Sequence, residues 1–381
     1  MHSRLYRLAG VALVGAAGLF AQEAPLPKES IHVNLTKDTP LAMKSITSDQ
    51  SRITARGAAM VVDLKMSMTL QNTSPNRLHG VTLRVVSQEA VGGGKGSVTY
   101  PSLNVGPGET FPVRIEMQLV RPTQFASGTL VEVDVDGLLY QDLTFFGPDR
   151  LHSRRFLTAR ELEAQRDRGY FKRVLAESGP KGLQQEMLKS IARQSEASPL
   201  SVQIVPRAAA VTSAAIPAER SAEFALVQFP DAPVEMIQGS AMVAGNEARA
   251  PRIEVLNRSG KPVKYVEVGW ILSDQAGRPA GAASLPSDSS LYLPPGKTAR
   301  VLQDTTLKLV GAGGQPVNVQ AMTGYLSQVE FVDGKVWVPN RESLANPNLP
   351  KSVAPSAEEQ RLAAVYLKRG LDGLMEELKK Y

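Results

Sequence analysis

Apolar and polar residues alternate through Ala58–Leu70. Met60, Val62, Leu64, Met66, Met68 and Leu70 fall on one face, and Asp63, Lys65, Ser67 and Thr69 on the other. A period of two belongs to an extended strand with one buried and one wetted side. The same rhythm returns at Ala250–Asp274. Ile253 and Val255 lead into a turn at Asn257-Arg258-Ser259-Gly260-Lys261-Pro262, and alternation resumes at Val266, Val268, Trp270 and Leu272. This predicts a β-hairpin of an antiparallel sheet. The two stretches match without a gap at an offset of 185 residues: Met68 with Ile253, Leu70 with Val255, Asn72 with Asn257, Ser74 with Ser259, Leu78 with Val263, Val81 with Val266 and Leu83 with Val268. One sandwich design is therefore expected twice.

Further strands are predicted at about Val81–Val86, Phe111–Leu119 and Leu130–Val135. The turn Gly106-Pro107-Gly108-Glu109 that enters one of them has its counterpart in Pro294-Pro295-Gly296-Lys297, and Leu143-Thr144-Phe145 is placed like Val329-Glu330-Phe331. Short strands at regular spacing with turns pre-shaped by Pro and Gly favour immunoglobulin-like antiparallel sandwiches.

The period changes at Leu157–Glu196. Thr158 can cap a helix, Ser178-Gly179-Pro180 interrupts it, and Leu183, Met187, Leu188 and Ile191 then share a face at helical spacing. Near the end, Ser356-x-x-Glu359 has the form of a capping box. Leu362, Tyr366, Leu367, Leu371, Leu374 and Leu378 form the apolar face of the helix that follows. Gly370 and Gly373 each cost it about 1 kcal/mol, so it is marginal alone and is expected to dock on the sandwich or on a partner.

The resulting plan is mainly β with helical additions: a signal peptide at 1–21, a lead-in at 22–50, a first immunoglobulin-like sandwich at 51–150, a helical connector at 151–198, a linker at 199–221, a second sandwich at 222–343, a linker at 344–355 and a C-terminal helix at 356–381.

Composition adds a compartment. Arg4 and Arg7 precede the apolar run Leu8–Ala21, which at fourteen residues falls short of the roughly 20 needed to span a membrane. Cleavage after Ala21 is expected, with Ala16-Ala17-Gly18 as a competing site and an uncleaved anchor as the alternative. No other segment is apolar enough to span. The mature chain is therefore expected in the periplasm or outside the cell, without a membrane span. It contains no cysteine, so its cores hold by packing alone, and thiol chemistry is excluded. Removing the signal leaves 41 basic against 37 acidic residues, a balance that argues against nucleic acid.

Ile253–Arg300 resembles the FxLYD-type module of bacterial extracytoplasmic proteins, and more loosely CARDB-like adhesion modules. The name motif falls on Trp270-Ile271-Leu272-Ser273-Asp274: Trp270 stands for Phe, Leu272 and Asp274 match, and Ser273 departs from Tyr. The turn Asn257-x-Ser259-Gly260-x-Pro262, Gly277 and Pro295-Gly296 also fit. The first repeat has Val85-Val86-Ser87-Gln88-Glu89 in that place. The resemblance implies a β-sandwich outside the cytoplasm and brings no catalytic residue.

Candidate chemistry is sparse. Gly92-Gly93-Gly94-Lys95-Gly96-Ser97 lacks the Lys-Ser/Thr adjacency and following helix of a phosphate loop, and reads as a hairpin loop. Glu132-Val133-Asp134-Val135-Asp136-Gly137 lacks the twelfth-position Glu of a calcium loop, where Leu143 stands, and reads as a strand with its acids facing water. His32, His79 and His152 are far apart, and no G-x-S-x-G elbow occurs. No catalytic residue, metal site or cofactor is expected. Two features are candidates for contact. The basic cluster holding Arg150, Arg154 and Arg155 can grip a carboxylate or an anionic glycan, or pair with Glu161, Glu163 and Asp167. Trp337, on the face opposite Val336 and Val338, is either exposed for a partner or sugar, or covered by the C-terminal helix. The expected function is a non-enzymatic binding or structural protein of the bacterial envelope whose partner is another envelope or extracellular protein. The alternative is a polysaccharide-binding or enzyme-accessory module.

Overall fold

The computed structural model describes residues 23–89, 92–123, 128–195, 198–206, 219–286, 291–345, 349, 353 and 355–381. The expected signal segment and parts of both expected linkers lie outside them. The chain divides into two compact units: residues 1–75, 83–98 and 107–135 form one, and 76–82, 99–106 and 136–381 the other.

The first ten strands are β1 (Glu23–Pro25), β2 (Ile31–Asn34), β3 (Leu41–Thr47), β4 (Arg52–Arg56), β5 (Ala59–Asn72), β6 (Leu78–Val86), β7 (Lys95–Tyr100), β8 (Thr110–Pro122), β9 (Val131–Tyr140) and β10 (Phe145–Phe146). They make two sheets. One has the order β1-β4-β5-β3, with β8 along the other side of β5; the other runs β10-β9-β6-β7, with β2 on β9. The long strand β5 has the burial its alternation predicts, with Met60, Val62, Leu64, Met66, Met68 and Leu70 all at or below 5% exposure. Strands β1, β2 and β3 lie in the stretch read as a lead-in, and they belong to the sheets.

The long helix α1 (Ser153–Ser195) follows, then β11 (Leu200–Pro206), β12 (Arg220–Glu223), β13 (Ala225–Val227), β14 (Val234–Ala244), β15 (Glu247–Asn257), β16 (Val263–Ser273), β17 (Pro279–Pro286), β18 (Thr298–Leu302), β19 (Thr305–Gly311), β20 (Ala321–Phe331), β21 (Val336–Trp337), α2 (Arg341–Leu344) and α3 (Ala357–Lys379). Sheets ordered β11-β19-β15-β14-β12 and β13-β20-β16-β17 enclose one core. Ile253 and Val255 from one sheet and Val266, Val268 and Trp270 from the other are each 2% exposed or less within it. β11 falls in the expected linker, yet it pairs along β19 from Leu200↔Gly311 to Pro206↔Thr305.

The predicted repeat holds at the level of single hydrogen bonds. The Asn72 side-chain oxygen accepts the Ser74 N–H at 3.0 Å and its hydroxyl at 2.7 Å; the Asn257 oxygen accepts the Ser259 N–H at 2.9 Å and its hydroxyl at 2.6 Å. Each repeat also splits its opening chain between its two sheets. β1 pairs β4 and β2 runs parallel to β9; β12 pairs β14 and β13 runs parallel to β20.

Helix α1 begins at Ser153, five residues before the expected Thr158 cap. Asp149 Oδ1 accepts the Arg154 N–H at 2.9 Å, and the buried Asp136 accepts the N–H groups of Arg150 and Leu151 and the Ser153 hydroxyl. Asp136 is 1% exposed. It therefore anchors the helix entry, where the strand pattern had it facing water. The predicted break is present at Gly179, with φ 65° and ψ −170°. Helix α3, expected to be continuous, is broken in the same way at Gly370, with φ 69° and ψ −167°. It docks on α1, where Leu362, Ala363, Leu374 and Leu378 close a core with Phe171, Leu183 and Met187. Among the described residues no helix is long and apolar enough to cross a membrane.

Candidate functional site

Six buried charged residues, Glu161, Asp167, Arg168, Glu358, Glu359 and Glu377, lie on α1 and α3. The carboxylate of Asp167 is fully buried and receives Arg166 through two nitrogens at 3.0 and 2.9 Å, Arg341 at 3.1 Å and the Ser356 hydroxyl. Burial pushes this carboxyl up, but the Arg166 and Ser356 hydrogen bonds and the Arg341 charge outweigh it and hold the group below its ordinary range. Glu359 takes Arg341 at 2.6 and 3.2 Å, Arg193 at 2.8 Å and the Ser190 hydroxyl. The Ser356 cap forms, with its oxygen accepting the Glu359 N–H at 3.1 Å. The Glu359 side chain does not complete a capping box, because these cations engage it. A buried ion pair of this kind adds little net stability over apolar packing, whereas removing one partner costs about 3–5 kcal/mol. The network therefore fixes how α3 seats on α1.

A second chain of charges runs beside it. Arg168 reaches Glu161 at 2.6 Å and Glu358 at 3.5 Å, and Arg361 bridges Glu358 and Glu377. Arg168 also lies over the Tyr381 ring, 4.1 Å from its centroid. Burial is the main cause raising the Tyr381 hydroxyl above its ordinary value.

This second chain borders a cleft of about 320 Å³. Arg77, His79 and Asn104 line one side; Glu161, Gln165, Arg168 and Lys172 of α1 line another; Gln141, Lys380 and Tyr381 complete it. All of these residues belong to the second compact unit. His79, 3% exposed, sits in a strand buried along its whole length. Gly80 beside it leaves room for Leu157, whose Cδ2 would stand only 2.7 Å from any added Cβ. This close approach brings α1 onto β6. The His79 Nδ1 lies 3.0 Å from Glu161 Oε1 but is too poorly aligned for a hydrogen bond. The His79 Nε2 and Glu161 Oε2 atoms are buried without a hydrogen-bond partner among the described residues. Leaving such groups unmet costs about 1–3 kcal/mol each.

The sequence reading did not single out His79 or this cleft. The one available signal was a histidine inside a period-two strand, where a titratable ring must be wet or matched. The residues it did single out lie elsewhere. Arg150 is exposed. Arg154 is half-buried, with its guanidinium against Gly334, where a side chain would collide with it. Arg155 stacks over Tyr265, 3.6 Å from the ring centroid, and faces the buried Glu330 at 3.7 Å. The cluster is thus divided. The acids expected to pair with it take other partners: Glu161 takes Arg168, Glu163 takes Arg160, and Asp167 takes Arg166 and Arg341. Trp337 is half-buried at the margin of the second core, with its Nε1 donating to Asp231 at 3.2 Å.

A third feature is a sheet edge in the first unit. Among the described residues β3 pairs only with β5. Met43 stands opposite Leu70 and Ile46 opposite Met68, so both share the core-facing side. They remain 42% and 39% exposed.

No family model matches the chain, and no curated protein matches it. A solved structure described as "X-ray structure of Northeast Structural Genomics Consortium target SoR45" is similar over 37% of this chain and 80% of that chain, at 10% identity and a TM-score of 0.19. A likeness at that score carries no argument.

Proposed function

We propose that this chain is an exported, non-enzymatic binding protein that takes up an extended segment of another envelope or extracellular protein along the edge of β3. The observation that carries the reading is the exposure of Met43 and Ile46 on the inward side of the sheet, at 42% and 39%. An added strand would cover both side chains and pair the outer backbone groups of Leu41–Thr47, the two sources of affinity in strand addition. Lys44, exposed in the middle of the edge, and the irregularity between Met43 and Ser45 discourage self-pairing. They also favour an acidic residue in the incoming strand.

Export is supported by Arg4, Arg7 and the run Leu8–Ala21. The resemblance of Ile253–Arg300 to FxLYD-type modules points the same way. There the motif aspartate, Asp274, ties its own turn by accepting the N–H groups of Ala276 and Arg278 at 3.0 and 2.9 Å, a structural role.

The test is hydrogen exchange on the full chain with extended peptides selected against it by display. Binding should protect the amides of Leu41–Thr47 and be lost in Ile46→Lys and in Ser45→Pro. Protection confined to other segments, or binding undiminished in both variants, would overturn the reading.

A further inference from the structure

The two broken helices are copies of one unit. At an offset of 191 residues Gly179 matches Gly370, Gly182 matches Gly373, and Phe171, Leu183 and Met187 match Leu362, Leu374 and Leu378. The two breaks have nearly the same dihedral angles. An added Cβ at Gly182 or Gly373 would strike the Cβ four residues back, that of Ser178 or Arg369. Both helices fold back on themselves. The Tyr170 hydroxyl donates to Glu186, and Arg361 reaches Glu377 at 2.6 Å, whereas a straight helix would hold residues sixteen apart at about 24 Å. Each is therefore an αα-hairpin, closed by matching positions: Arg361 is the counterpart of Tyr170, and Glu377 of Glu186.

The hairpins meet through equivalent faces. The three matched pairs all lie in the core they share. The Ser190 hydroxyl donates to Glu359 at 2.5 Å, and Arg168 lies over the Tyr381 ring. Ser190 matches Tyr381 and Arg168 matches Glu359, so exchanging the hairpins turns one contact into the other. That reciprocity is the mark of an isologous interface, the kind that two identical subunits make. We propose that the inner face of α1 is a docking surface for α1 of a second copy of this chain, closed in the monomer by α3. The surface lies in the second compact unit and does not depend on the β3 edge. Charge selects the partner. Arg168 reaches Glu358 at 3.5 Å, and Glu358 matches Asp167. Two α1 hairpins would set Arg168 of each copy against Asp167 of the other. Two α3 hairpins would set Glu359 against Glu358, like against like. The apolar area is large enough to need cover, since Phe171, Leu183 and Met187 are completely buried under α3.

The experiment is sedimentation equilibrium of the full chain, with hydrogen exchange to locate the contact. The parent chain should be a monomer. Leu374→Asp, which drives α3 off the shared core, should convert it to a reversible dimer, with α1 protected around Phe171, Leu183 and Met187 as concentration rises. Glu359→Gln removes the charge that Arg341 and Arg193 hold. It loosens α3 less and should dimerise through the same contact at higher concentration, and it carries the test if Leu374→Asp fails to fold. In either background, Arg168→Glu and Asp167→Lys should each weaken the dimer by roughly tenfold or more, because each sets like charges face to face twice. Mixing the two charge variants should restore it as a heterodimer, a selectivity that unspecific apolar association lacks. Folded, loosened chains that stay monomeric, dimers whose protection lies outside α1, or charge variants that associate as well alone as mixed would overturn the proposal.

Discussion

Asn72 and Asn257, 185 positions apart, make the same bonds in two copies of one turn. The Asn72 backbone N–H donates to the Glu109 carbonyl at 3.0 Å and its carbonyl accepts the Gly108 N–H at 2.8 Å; for Asn257 the partners are Lys297 at 3.0 Å and Gly296 at 2.8 Å. Both asparagines are completely buried. A buried amide must meet its donors and acceptors locally: here the asparagine backbone ties the end of a strand to the Pro-Gly turn entering another, while its side chain closes the turn on the serine two residues on. A structural device that meets so many requirements leaves little freedom for substitution.

Asn257→Ala removes the acceptor of the Ser259 N–H and hydroxyl and the donor to the Lys261 and Leu293 carbonyls, at 2.8 and 2.9 Å. With about 1–3 kcal/mol for a buried group left unmet, the variant should lose about 2–4 kcal/mol in urea unfolding. Asn257→Asp keeps the acceptor but sets a buried carboxylate oxygen against the Lys261 and Leu293 carbonyls, so it should cost at least as much as the alanine variant.

Val266 faces Val329 across β16 and β20, and neither is exposed. A carboxylate at this point would be buried in the apolar core. Val266→Asp should therefore unfold the second sandwich, whereas Val266→Ile should cost about 1–3 kcal/mol from overpacking. Circular dichroism melts separate the two, and an unchanged melt for the aspartate variant would contradict the assigned face.

What the sequence made legible follows from which forces are local. β5 and β16 are long strands with one face in a core, so period two writes itself into them. Their shared turn chemistry exposed the repeat. β3 escaped because six of its seven residues are partly or fully exposed, which leaves no hydrophobic rhythm to read. The start of α1 escaped because its cap comes from Asp136 and Asp149, the first of them in a strand, while Thr158 mimicked a local cap. The cleft was invisible for a similar reason. His79, Glu161 and Tyr381 are brought together by tertiary packing, and nothing in their spacing says so.

Gly179 and Gly370 should prove irreplaceable for a backbone reason alone. At both, an added Cβ would meet nothing within 4 Å. Yet φ 65°, ψ −170° and φ 69°, ψ −167° lie where side-chain-bearing residues pay about 1–3 kcal/mol of strain. Alanine, the best helix former, should destabilise at each position by that amount in chemical unfolding, the reverse of its effect inside a regular helix.

The helix clamp should come apart in acid, and Asp167 sets the direction. Its carboxyl is held below the ordinary range in the folded chain by Arg166, Ser356 and Arg341, against the opposing effect of burial. A depressed folded value means the stabilisation is fully present above the unfolded value of about 3.9 and is lost as pH falls through the lower folded one. Glu377, lowered by Lys380 and Arg361 despite its own burial, adds in the same sense. The melting temperature of the second unit should therefore hold steady near neutrality and decline below about pH 4. Asp167→Asn removes the charge but leaves Arg166 and Arg341 facing it, so it should cost about 3–5 kcal/mol at pH 7. It should also flatten the acid limb of the profile, because the group that titrates there is gone. A variant that melts like the parent chain at pH 7, or that retains the full acid decline, would show that Asp167 does not hold the clamp.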